Sequence, residues 1–164
     1  MNNETIIKKL QTELGDDFLL KYLDWRAISR NHKLTERFIR EFQDVIDWVW
    51  ISYSQILSED FMREFQDKID WVEISESQQL SEPFIREFQD KLDWQFISKN
   101  QQLSEDFIRE FQDEVDWIYI FEYQKLSKSF ILEFMNFVDW NYMRPTTTLS
   151  RRKINKLIKE QDAK

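Results

Sequence analysis

The stretch LSEDFIREFQDEVDW, residues 103–117, has near-copies beginning at Leu34, Leu57, Leu80 and Leu126, each ending in Asp-Trp. The pair itself stands at Asp24-Trp25, Asp47-Trp48, Asp70-Trp71, Asp93-Trp94, Asp116-Trp117 and Asp139-Trp140, every one 23 residues after the last. A fixed period of this length is the mark of a stacked array, in which each unit buries its apolar side against its neighbours. A catalytic site is normally built once, so repetition points to architecture and to a function carried by a surface.

Within a unit the apolar pattern is helical. Phe61, Phe65 and Ile69 recur in steps of four with Met62 beside them, which predicts one face of a helix A. Ser58 stands at its N-cap with Glu59 and Asp60 behind it, acids that suit a helix's positive end. Leu57 and Met62 have the spacing of a hydrophobic staple, and Pro83 falls in a first turn, where a missing N–H costs little. Asp70 then caps a second helix B, with Ile69 and Ile74 as its staple and Glu73 placed to reach back in a capping box. Trp71, Ile74 and Gln78 share one side of helix B. The unit expected is therefore a longer helix A, a corner at Asp and a shorter helix B. Neither is stable alone at such a length, so stacking must supply the stability.

The expected fold is all-α: an α-solenoid of 23-residue two-helix repeats with degenerate capping units at both ends, elongated rather than spherical. Residues 1–143 form the solenoid. Residues 14–25 keep the Leu-to-Phe spacing but are three residues shorter between Phe18 and Trp25, and make a degenerate first unit. Residues 144–164 form a basic C-terminal capping helix and tail of the same domain, with the helix at 150–160. Leu149-Ser150 keeps the frame there, past the interruption at Pro145.

Composition narrows the function. The single Gly excludes phosphate-binding glycine loops and dinucleotide fingerprints. With one histidine and no cysteine, neither a nucleophile–histidine site based on thiolate nor a Cys/His zinc site can be assembled. His32 occupies the place held elsewhere by Gln55, Gln78, Gln101 and Gln124, and is expected to bond backbone near the end of helix B. The repeated acids are read as a solvated face, Arg63 pairing with Asp67 and Glu64 with Lys68 at i,i+4. No catalytic residue, cofactor or metal site is expected, and the chain is not expected to be an enzyme. The start of the sequence lacks the order of a secretion signal and there is no apolar run near twenty residues, so a cytoplasmic protein is expected, with the nucleus open.

The net charge of −8 is uneven. Residues 1–143 hold sixteen basic and twenty-nine acidic side chains, a net of −13, while residues 144–164 hold seven and two, a net of +5. An acidic body does not attract phosphate backbones, which leaves only the tail, with Arg151, Arg152 and Lys153, for nucleic acid. That tail also reads as a nuclear signal or as a plain structural cap.

The informative positions vary while the frame holds. Three residues after the Asp cap stand Ala27, Trp50, Glu73, Phe96, Tyr119 and Tyr142, with Tyr53 and Tyr123 three or four further on. Repeat arrays hold scaffold positions and vary the binding face, so Trp50, Tyr53, Glu73, Phe96, Tyr119, Tyr123 and Tyr142 are the candidate partner-binding residues. The alternative is that this side of helix B merely packs against the next unit.

The string LSEDFIREFQDKxDWxxIS, assembled from residues 57–75, 80–98 and 103–120, resembles a short helical repeat of uncharacterised proteins of large DNA viruses of amoebae and algae. The resemblance covers residues 34–140. It implies a viral repeat protein acting in a host cell, and it carries no activity across. Phe121, where other units have Ser, and the break at Pro145 depart from the pattern. The expected function is a non-enzymatic protein–protein interaction module, monomeric or weakly self-associating, that engages a host or viral protein. The alternatives are an acidic nucleic-acid mimic that occupies a basic DNA- or RNA-binding protein, and a structural particle component that assembles end to end.

Overall fold

Short polar side chains at fixed places start the helices of this all-α chain. The computed structural model describes residues 3–14 and 24–137. Residues 15–23 of the expected first unit, Tyr142, Pro145, and the expected capping helix with Arg151, Arg152 and Lys153 lie outside the described residues. The helices are α1 (Asn3–Leu14), α2 (Trp25–Asn31), α3 (Glu36–Glu41), α4 (Trp48–Ser54), α5 (Glu59–Glu64), α6 (Trp71–Ser77), α7 (Glu82–Glu87), α8 (Trp94–Asn100), α9 (Glu105–Glu110), α10 (Trp117–Tyr123) and α11 (Lys128–Phe134), followed by a 3-10 turn, Met135–Phe137. From α2 onward, even-numbered helices are the second helices of repeats and odd-numbered ones the first. The chain divides into two compact units, Met1–Leu80 and Ser81–Lys164. In the first, α2 packs on α4 and α4 on α6; in the second, α8 packs on α10. Neighbouring repeats thus stack in the manner of a solenoid.

The first helices begin at Thr35, Ser58, Ser81, Ser104 and Ser127, whose hydroxyl oxygens accept from the amides of Phe38, Phe61, Phe84, Phe107 and Phe130. They are shorter than the sequence suggests. Each of α3, α5, α7 and α9 ends after six residues, and the next residue, Phe42, Phe65, Phe88 or Phe111, leaves the helix with φ between −115 and −107°. The expectation that helix A is the longer of the two is therefore corrected. The Phe65 carbonyl accepts from Lys68 N at 2.9 Å and Ile69 N at 3.1 Å, so a separate turn carries Ile69 into the core. This turn keeps the four-residue spacing of a helix, which is why apolar periodicity does not reveal the break. The departure frees the carbonyl of Gln66, and the indole N–H of Trp71 takes it at 3.0 Å. Trp48, Trp94 and Trp117 do the same for Gln43, Gln89 and Gln112. Where Gln gives way to Met135, the backbone stays helical (φ −59°, ψ −22°) and runs on into the 3-10 turn.

The second helices begin as the sequence predicts. Asp70 Oδ1 accepts from the amides of Val72 and Glu73, Asp93 and Asp116 accept from the matching pairs, and Asp24 and Asp47 accept from the amides of Ala27 and Trp50. The expected capping box is not made. The N–H of Asp70, which Glu73 would have taken, donates to Ser52 Oγ of the preceding repeat at 2.9 Å. That hydroxyl in turn donates to the Trp48 carbonyl at 2.7 Å. Ser29 with Asp47 and Ser98 with Asp116 repeat the arrangement.

Glutamine closes each second helix and ties it backward. Gln78 Oε1 accepts from Leu57 N at 3.1 Å, while its Nε2 donates to the carbonyls of Ser52 and Gln55 at 2.9 and 2.6 Å. Gln55 makes the same three bonds to Leu34, Ser29 and His32, and Gln124 to Leu103, Ser98 and Gln101. The backbone bonding expected near the end of helix B is thus made by Gln to the previous repeat. His32 contributes its carbonyl to this set.

Aromatic rings fill the space between repeats. Trp48 lies 5.1 Å from Phe65 and 6.4 Å from Phe61, and Trp94 meets Phe111 and Phe107 at nearly the same distances. Above them run inter-repeat ion pairs, Arg40 to Glu64, Arg86 to Glu110 and Arg109 to Glu133, at 2.8–3.0 Å. In place of the expected i,i+4 pairs, Arg63 turns back to Asp60 at 3.2 Å and Glu59 at 3.6 Å, and Lys68 meets Asp44 at 3.6 Å. The cause is the helix break at Phe65, beyond which residues 67 and 68 no longer follow the helical face.

Replacing Gln78 with Ala removes the side chain that bonds the Leu57 amide and the Ser52 and Gln55 carbonyls, of which the Ser52 carbonyl keeps the Ser77 hydroxyl. The expected loss is about 2–4 kcal/mol. Gln102→Ala, at an exposed position, should stay within about 0.5 kcal/mol of the parent. Urea unfolding of the two variants checks the difference.

Candidate interaction face

The core of each second helix uses the fourth and fifth residues after the Asp cap. These are Ile28-Ser29, Ile51-Ser52, Ile74-Ser75 and Ile97-Ser98, all buried, with Ile120-Phe121 buried in the same place. The remaining positions on the helix's outer side are the second, third, sixth and seventh after the cap, since a helix turn brings residues three and four apart together. Their side chains change from repeat to repeat.

In the first unit α2, α4 and α6 form a groove of about 500 Å³ lined by Arg30, Asn31, Val49, Trp50, Tyr53, Ser54, Glu73 and Glu76. The rings of Trp50 and Tyr53 meet edge to face at 5.9 Å, and the Arg30 guanidinium lies 4.5 Å from the Trp50 ring centre. Trp50 and Glu73 are half-buried, whereas Val49 and Tyr53 are nearly half exposed, at 46 and 47%. Burial, then the nearby Asp70 and Glu76 carboxylates, push the Glu73 carboxyl above its ordinary value.

A second groove, of about 330 Å³, lies on α8 and α10 and is lined by Gln95, Lys99, Asp116, Ile118, Tyr119, Glu122 and Tyr123. Tyr119 and Tyr123 stand 5.9 Å apart. Lys99, Ile118 and Tyr119 lie three repeats after Arg30, Val49 and Trp50, so the same positions build both grooves from different side chains.

Of the candidate residues, the structure gathers Trp50, Tyr53 and Glu73 in one groove and Tyr119 and Tyr123 in the other. Phe96 is half-buried on α8 and lines neither. Sequence reasoning missed Arg30, Val49 and Glu76, and likewise Lys99, Ile118 and Glu122. The signal was present. The sixth position after the cap reads Arg30, Tyr53, Glu76, Lys99 and Glu122, a column as variable as the third.

Among the described residues no group of acidic or histidine side chains is placed to hold a metal ion. Among them, too, no helix is long and apolar enough to cross a membrane. No family model, curated protein or solved structure matches the chain.

Because its folded carboxyl is raised, Glu73 holds its proton more tightly in the folded than in the unfolded chain. Its favourable contribution is complete below the unfolded value and is lost as pH rises through the folded one. Glu73→Gln should therefore be more stable than the parent at about pH 7 and lose that advantage near pH 3.5. Urea midpoints of both proteins at the two pH values test the sign.

Proposed function

We propose that the chain is a non-enzymatic protein-interaction module that engages a protein partner through the variable outer side of its second helices. The observation that carries this reading is the recurrence of one groove three repeats apart. The Ile, Asp and Gln positions that build it hold, and its lining side chains change. Half-exposed aromatics in such a groove are good anchors, because large rings bury much area at little ordering cost. The resemblance of the repeat string supports a viral repeat protein whose partner is a host or viral protein, met in the host cell.

The test is to capture partners on the immobilised protein from the native cellular setting and to measure the affinity of the protein identified. Trp50→Ala, Phe96→Ala and Tyr119→Ala are compared singly with Asp60→Ala, a change at an exposed position of α5. Trp50→Ala and Tyr119→Ala should each weaken binding by about 2 kcal/mol. Their unfolding should shift less than that of Phe61→Ala, a core change worth about 3–5 kcal/mol. A loss of stability as large as that of Phe61→Ala would make these rings packing and sink the proposal. Binding that collapses steeply with salt would favour the acidic mimic. Concentration-dependent oligomers of the protein alone would favour end-to-end assembly.

A further inference from the structure

The geometry points to the groove of the first unit as a pocket for a cationic side chain, a lysine or arginine on an extended segment of a protein partner. It rests on the reading of the outer side of the second helices as an interaction face, and adds the chemistry of what enters. Three features converge on a cation with an aliphatic stem. Val49 and Tyr53 give the groove an exposed apolar wall, which suits the methylenes of lysine or arginine. Arg30, 4.5 Å from the Trp50 ring centre, takes one indole face and shows that the rings here attract a cation; the Tyr53 ring, 47% exposed, is the one open to a ligand. Glu73, on α6, is half-buried with carboxylates for neighbours, and burial first, then the repulsion of Asp70 and Glu76, raises its carboxyl. A cation arriving beside Glu73 relieves that repulsion.

Competing occupants fit less well. An anionic side chain would need the Arg30 guanidinium, which is stacked on Trp50, and would meet Glu73 and Glu76 in the same groove. A purely apolar side chain would bury Glu73 without a counter-charge, which is costly. The second groove also joins an aliphatic wall, Ile118, two rings, Tyr119 and Tyr123, and a carboxylate, Glu122, with Lys99 in the place of Arg30.

The experiment uses the full chain and end-blocked pentapeptides Ala-Ala-X-Ala-Ala, with X lysine, arginine, norleucine or glutamate. Binding is read from the indole N–H signal of Trp50 in proton–nitrogen NMR spectra, assigned with Trp50→Phe. The lysine and arginine peptides should shift that signal and saturate in the millimolar range, about what a single side chain can supply. The norleucine and glutamate peptides should bind at least about tenfold more weakly. Glu73→Gln should weaken the lysine peptide about fivefold or more at an unfolding midpoint no lower than the parent's, and Asp60→Asn should change nothing. Norleucine binding as well as lysine, glutamate binding better, Glu73→Gln behaving as the parent, or no saturation by about 10 mM would each overturn the cation pocket. A captured partner that is lost with Trp50→Ala but indifferent to Glu73→Gln would keep the interaction face and remove only its cationic chemistry. A partner indifferent to both would remove the face itself.

Discussion

Backbone groups buried where one repeat ends and the next begins must find partners, and in this chain a glutamine of the following repeat supplies them. Gln55, Gln78 and Gln124 each offer an oxygen to the amide that opens their own repeat and a nitrogen to two carbonyls of the preceding one. Gln55 and Gln78 are almost wholly buried, where an unmade hydrogen bond costs the full desolvation of the group. No apolar residue could replace them, and no side chain with only acceptors could serve both kinds of group. Among the described residues every buried side-chain nitrogen and oxygen is satisfied.

These bonds also hold the period. The glutamine bonds join residues 21, 23 and 26 apart. The bond from the Asp47 amide to Ser29 spans 18, that from the Ser58 amide to the Glu36 carboxylate 22, and the Arg40–Glu64 pair 24. An insertion or deletion of one residue within a repeat would break several of these links at once, which gives the unslipped 23-residue spacing a physical cause. Phe121 shows the limit of the scheme. It is fully buried with its ring tilted against Trp117 at 5.9 Å, and it offers no oxygen where Ser29, Ser52 and Ser98 accept an Asp amide.

The same economy of positions makes room for function. Interior demands occupy the fourth, fifth and eighth residues after each Asp cap, and Trp follows the cap to pack on the next aromatic pair. What remains is one side of a seven-residue helix, which carries Trp50, Glu73, Phe96 and Tyr119 in successive repeats. Scaffold and surface are separable because the hydrogen bonds between repeats come from the buried side of the helix and its ends.

Much of this was legible in the sequence. Helical class, repeat length, the Ser and Asp caps and the apolar positions follow from local rules that act over a few residues, and Phe61, Ile69 and Ile74 are buried as their spacing implies. The variable aromatics at the third position after the cap were equally visible. The break at Phe65 was not, because a helix and the turn that replaces it share the same four-residue spacing. Nor were the partners of Asp70 N, Glu64 and Gln78, which lie 18 to 26 residues back in the chain. Short-range pattern determined which residues form helices and which face inward. Tertiary stacking decided the partners of Asp70 N, Glu64 and Lys68, because the capping box and the Glu64–Lys68 pair offered by the local sequence lost to groups of the preceding repeat, while Arg63 stayed with Asp60 and Glu59 of its own helix.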